Sequence, residues 1–209
     1  MAKITFSKDR VSSFSDAVFS IAMTLLVLEI DIPSVAEYRE QGFSQVLANR
    51  IPGFIGLLVS FLVLAMYWVS HMRIFRYVKE VSSQLLWLNI FMLLFVVLLP
   101  FSTAFYVNFF NFSGPFIFYC LNLVVIGVLY FFFIRLVYRE GLGSTGFYKS
   151  EYRWQQWRGL AVVIIWLAAA LLATTSVVLS RGLFILLFVI HFILDYRYKK
   201  MMKKKALTE

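Results

Sequence analysis

Cysteine is nearly absent: the 209 residues hold one, Cys120, inside an apolar run, so no intrachain disulfide is possible. Histidine occurs twice and proline four times, at positions 33, 52, 100 and 115. Charge is scarce at 15%, against roughly 25% in an average globular protein. No HExxH, GxSxG, phosphate loop or cysteine–histidine set occurs, which leaves the common hydrolytic, metal and nucleotide chemistries without a carrier. What is abundant is apolar surface. The chain is 61% hydrophobic and 19% aromatic, with a mean hydropathy of +0.81. One small water-soluble core would not hide it, so lipid is the solvent and the chain reads as an all-α integral membrane protein.

Six stretches have the roughly 20 apolar residues that a spanning helix needs. They run over 11–30, 51–72, 83–105, 114–136, 158–179 and 182–198, within one domain of residues 1–209 that ends in a basic tail, 199–209. The first connection, DIPSVAEYREQGFSQVLANRIPG, is long enough for a short surface helix, and a tight turn is expected at SRG, 180–182. The formal charge of +9 would suit nucleic acid, but the basic residues stand just outside the apolar runs, so no nucleic-acid partner is implied. With six spans, 17 of the 20 Lys and Arg residues fall on one side and Arg39, Arg50 and Arg181 on the other. That asymmetry places both termini in the cytoplasm. The tail RYKKMMKKK anchors this topology and is suited to anionic membrane lipid. The opening apolar stretch is too long, and too interrupted by Asp16, to read as a cleaved signal peptide.

The first span, RVSSFSDAVFSIAMTLLVLEI, has two faces. With Ile21 at 0° and about 100° per residue, Thr24 falls near 300°, Leu25 near 40° and Leu28 near 340°, and Phe14 lies close to the same stripe. Asp16 sits about 140° away. A lone carboxylate at membrane depth costs roughly 2.5–3.5 kcal/mol, so Asp16 needs a partner. Arg10 is about 240° around the helix and poorly placed for it. Trp68 and His71 in the second span, and Asn89 in the third, start from the same membrane level and carry the donors a carboxylate needs. Ser12, Ser13 and Ser15 join them or bond back to their own helix. Glu29 and Asp31 close the span at its far end.

These residues also carry a resemblance. RVSSFSD fits the RxxxFSD signature of the transmembrane protein 175 family of lysosomal and prokaryotic potassium channels, and AVFSIAMTLLVLEI, WVSH and LNIFMLLFVVLLPFSTAFY extend it through the first half of the chain. The second half matches only in having further spans and a basic tail. The resemblance implies a potassium-selective cation channel, modestly selective over sodium, without a TVGYG filter and without cofactors. It implies a pore lined by the first helix and narrowed by Ile21, Leu25 and Leu28, with Thr24 beside the permeating K+. It implies a polar structural network of Arg10, Phe14, Ser15, Asp16, Trp68, His71 and Asn89. One motif in one chain resembles the bacterial single-repeat members, which form homotetramers in the cell membrane. Three alternatives compete: a secondary transporter, a proton-permeable cation pore and a membrane enzyme. His191 and Asp195, at i and i+4, are the residues an enzyme or metal site would use.

Overall fold

The computed structural model describes residues 5–139, 149–184 and 189. The basic tail, most of the sixth expected span, and His191 and Asp195 lie outside them. Six helices carry the architecture: α1 Lys8–Leu25, extended by a 3-10 turn over Leu26–Glu29; α2 Val35–Phe75; α3 Ser83–Val97; α4 Leu99–Asn108; α5 Ser113–Arg139; and α6 Lys149–Leu172. Five helical stretches among the described residues are long and apolar enough to cross a membrane, α3 and α4 counting as one. A seventh helical stretch, 177–184, follows. Among the described residues the exception to an all-α chain is a two-residue pair: β1, Thr5–Phe6, runs antiparallel to β2, Val81–Ser82, with Thr5 opposite Ser82 and Phe6 opposite Val81.

Local chemistry sets the ends of these helices. Ser34 caps α2 by accepting from the Glu37 amide at 3.1 Å, and Ser82 caps α3 by accepting from the Leu85 amide at 3.2 Å. Pro100 lacks the N–H that would continue the ladder, so α3 and α4 meet at a kink around Leu98. α2 is longer than its expected span because the helix begins in the first connection. It is broken at Gly42, whose φ of 75° and ψ of 168° only glycine adopts readily. The short arm before the break is tied down by Arg50. Its guanidinium donates to both Glu37 carboxylate oxygens at 2.7 and 2.8 Å, and to the Asp31 carbonyl at 2.9 Å.

Two expectations change. α6 begins at Lys149, nine residues before the expected start, because Glu151, Gln155 and Arg158 recur on one helix face and are buried against protein. The turn that follows lies at 173–176, and Ser180, Arg181 and Gly182 are helical. Thr174 and Thr175 hydroxyls bond the Leu171 and Leu172 carbonyls at 2.7 and 2.9 Å, closing the helix there. Ser176 then opens the next one by accepting from the Leu179 amide at 3.4 Å.

The core lies between α1, α2, α3–α4 and α5, with α6 packed along α5. Phe19, Leu64, Ile74, Leu85, Phe116, Leu123 and Phe133 are fully buried in it.

Candidate functional site: the first helix and its polar anchor

α1 is the least covered of the long helices. Of its most apolar stretch, 28% is buried, against 56% in α5 and 50% in α6. The division follows the helical wheel. Val11, Ser15, Phe19, Ala22 and Leu26 are buried and fall between about 80° and 160° on the scale set by Ile21. Arg10, Ser13, Phe14, Ala17, Ile21, Thr24, Leu25 and Leu28 are exposed and occupy the opposite arc. Ile21 is 58% and Leu28 74% exposed, so neither belongs to the core of the chain. The Thr24 hydroxyl donates to the Ile21 carbonyl at 2.8 Å, and the Ser20 hydroxyl to the Asp16 carbonyl at 2.8 Å. Each oxygen keeps its lone pairs for a further partner.

The buried arc is held by hydrogen bonds to two other helices. Asn89, in α3, donates from Nδ2 to Ser15 Oγ at 2.9 Å, and Ser15 donates in turn to the Val11 carbonyl at 2.8 Å. The Asn89 carbonyl oxygen faces His71 Nε2 at 2.8 Å. An amide oxygen only accepts, so Nε2 carries the proton and Nδ1 is left with a bare lone pair. No polar atom meets Nδ1. Around it the imidazole is packed by Phe19, Phe75 and Phe133, with ring centroids at 5.7, 4.6 and 5.5 Å. All three members of the chain, Ser15, His71 and Asn89, are at most 1% exposed. Beside it, Trp68 Nε1 donates to Asp16 Oδ1 at 2.9 Å, which gives the carboxylate its partner from α2.

Thus Ser15, His71 and Asn89 come together, and Asp16 meets Trp68. Arg10 and Phe14 do not join them. Both are exposed, because their positions on the wheel put them on the open arc with Ile21 and Leu28. Ile21, Thr24, Leu25 and Leu28 share that exposed arc.

Two buried polar clusters are missing from the sequence expectations. Thr103 donates to Ser60 Oγ at 2.9 Å, and Ser60 shares a bond with the Tyr119 hydroxyl at 3.1 Å, which links α4, α2 and α5. Further along, the Arg158 guanidinium donates to Ser70 Oγ at 2.5 Å and Tyr130 donates to the Ser70 carbonyl at 2.8 Å. For the second cluster a signal was present: Glu151, Gln155 and Arg158 at i, i+4 and i+7 form one polar stripe on α6. Among the described residues no group of three or more His, Cys, Asp or Glu side chains is arranged to hold a metal.

Helices of membrane length, whose buried hydrogen bonds lie mainly where they meet each other, define a multi-pass integral membrane protein. Within that class, residues 10–100 match the model of the endosomal/lysosomal potassium channel TMEM175. A potassium channel of Streptomyces collinus is 40% identical over 95 residues, which are 46% of this chain and 45% of that protein. The match therefore spans less than half of that relative. A potassium channel of a Chryseobacterium species is 24% identical over 199 residues, 95% of this chain and 99% of its own. The endosomal/lysosomal proton channel TMEM175 of Rattus norvegicus is 27% identical over 125 residues, 24% of its length. Among solved structures, a lysosomal potassium-selective channel TMEM175 homolog from Chamaesiphon minutus superposes with a TM-score of 0.78 at 26% identity, covering 91% of this chain and 97% of that one.

Proposed function

We propose that the protein is a potassium-permeable cation channel whose pore is lined by α1 from several copies of the chain. The single observation that carries this reading is the open arc of α1, a face with Ile21, Thr24, Leu25 and Leu28 exposed on a helix otherwise anchored by hydrogen bonds. The potassium channels among the relatives supply the ion.

In this reading four copies surround an axis. Rings of Ile21 and Leu28, with Leu25 at their edge, form a neck about 10 Å long, since seven residues rise that far along a helix. An apolar neck of this length dewets when narrow, which closes it, and it conducts when its rings widen. A cation passing it sheds part of its water, and Thr24 hydroxyls or helix carbonyls replace some of that loss. Potassium holds its water less tightly than sodium, so the neck favours it modestly without a TVGYG filter. Both termini and the tail 199–209 are cytoplasmic, a sixth span completes each subunit, and the protein resides in the bacterial inner membrane.

The test is ion flux through the purified protein in liposomes under potassium, sodium and caesium gradients, together with the mass of the assembly. Potassium flux above sodium from a tetramer is expected, and a protein that carries no cation under any gradient overturns the reading. A proton gradient belongs in the same series, because several relatives are proton channels.

A further inference from the structure

Where α2, α5 and α6 meet, a narrow crevice of ≈ 30 Å³ is bordered by Tyr67, Ser70, Tyr130, Arg158, Gly159 and Trp166, all of them buried. A water molecule needs about 10–15 Å³ of space for its centre and two to four polar partners. The volume therefore suits one or two waters. The chemistry of the wall decides between water and hydrocarbon. Trp166 is 1% exposed, and its indole N–H makes no hydrogen bond, although it lies beside the Tyr67 hydroxyl. A buried N–H without an acceptor is uncommon in native structures. Tyr67 donates to the Leu123 carbonyl at 3.2 Å, so its oxygen has lone pairs left for a donor. One turn along α2, Ser70 Oγ accepts from Arg158 and keeps its own proton to give. A donor, an acceptor and a second hydroxyl thus border one small space. A lipid tail there would leave the indole N–H unpaired, whereas water serves all three groups.

We propose that this crevice is a hydration site, in which ordered water accepts from Trp166 Nε1 and donates to Tyr67 Oη, with the Ser70 hydroxyl at its other end. The water ties α6 to α2 about two turns along α6 from the direct bond between Arg158 and Ser70. α2 is also the helix that reaches Asp16 through Trp68, so the tie steadies the support of α1. The site stands whether or not α1 lines a pore.

Two measurements on the purified full-length protein test it. A density map fine enough to show ordered water is expected to hold a peak within hydrogen-bond distance of Trp166 Nε1 and Tyr67 Oη. An empty crevice, or one filled by a hydrocarbon tail, overturns the site. In X-ray hydroxyl-radical labelling read by mass spectrometry, ordered water becomes a local source of radicals. Tyr67, 8% exposed, is expected to be modified several-fold faster than Tyr106, which is 6% exposed and does not border the crevice. Equal rates overturn the proposal. Gly159→Ala places a methyl group in open space on the crevice wall, where the nearest atom beyond its own helix is Tyr130 Cδ1 at 4.0 Å. It is expected to bring the Tyr67 rate down to that of Tyr106 with helix content unchanged. A Tyr67 rate that stays high in this variant also overturns the site.

Discussion

Asn89→Leu removes the centre of the hydrogen-bonded chain that fastens α1. The side chain is 1% exposed and makes one bond on each side, to Ser15 at 2.9 Å and to His71 at 2.8 Å. Ser15 keeps its bond to the Val11 carbonyl, so its hydroxyl stays satisfied. His71 is left with a proton on Nε2 and no acceptor, in a cage of phenylalanines where Nδ1 already lacks a partner. Hydrogen bonds between membrane helices are worth about 0.6 kcal/mol each, two of which are lost here. The orphaned imidazole donor adds about 1–3 kcal/mol, for a total of roughly 2–4 kcal/mol. For a chain of this size, at about 2–4 °C per kcal/mol, that corresponds to a fall of about 4–16 °C in Tm. The assay is thermal unfolding of the purified protein in one detergent, followed by far-UV circular dichroism. His71→Phe added to Asn89→Leu recovers most of the loss, because an apolar pair in place of both partners leaves nothing unpaired. An Asn89→Leu protein as stable as the parent, or a double variant no more stable than Asn89→Leu, refutes the reasoning.

Other substitutions probe the remaining elements. Asp16→Asn weakens the bond from Trp68 and lowers the yield of assembled protein, measured by size-exclusion mass, by more than it changes the potassium-to-sodium flux ratio. Ile21→Asn wets the proposed neck, raising flux and lowering selectivity in liposomes; unchanged flux counts against Ile21 as a pore residue. In Gly127→Ala the new methyl group meets Val163 Cγ2 at 2.6 Å and the Tyr67 hydroxyl at 3.2 Å. Overpacking of this kind costs about 1–3 kcal/mol, read as a lower Tm, and Val163→Ala in the same chain restores it.

Much of this arrangement was legible because polar side chains are rare in the apolar spans. Asp16 at membrane depth demanded a donor, and Trp68, His71 and Asn89 were among the few candidates at its level. The wheel of the first span separated Ile21, Thr24, Leu25 and Leu28 from Asp16 before any packing was known. Other features were hidden for physical reasons. Ser60 and Thr103 were silent because a serine or threonine in a helix bonds its own backbone by default, so its sequence says nothing of a partner. Glu151 and Gln155 fall between the expected fourth and fifth spans, and their i, i+4 spacing with Arg158 shows a helix there only once all three are seen to be buried. Gly182 looked like a chain breaker, but the end of α6 is set by Thr174 and Thr175 instead. Arg10 and Phe14 belong to the sequence signature, yet they stand away from the bonds that the same signature makes through Ser15 and Asp16.

Gly42 has one more implication, for how mutations are tolerated. An added side chain there would meet no atom within 4 Å, so space is not what confines the position. The backbone angle alone does so, since φ is 75°. A codon change to almost any other amino acid would be felt at a distance, as the arm carrying Glu37 turned away from Arg50. Neighbouring exposed positions such as Ala36 and Glu40 bear no such constraint. A library randomised across this connection would therefore be expected to keep glycine at 42 and the Ser34, Glu37 and Arg50 partners, while Ala36 and Glu40 drift.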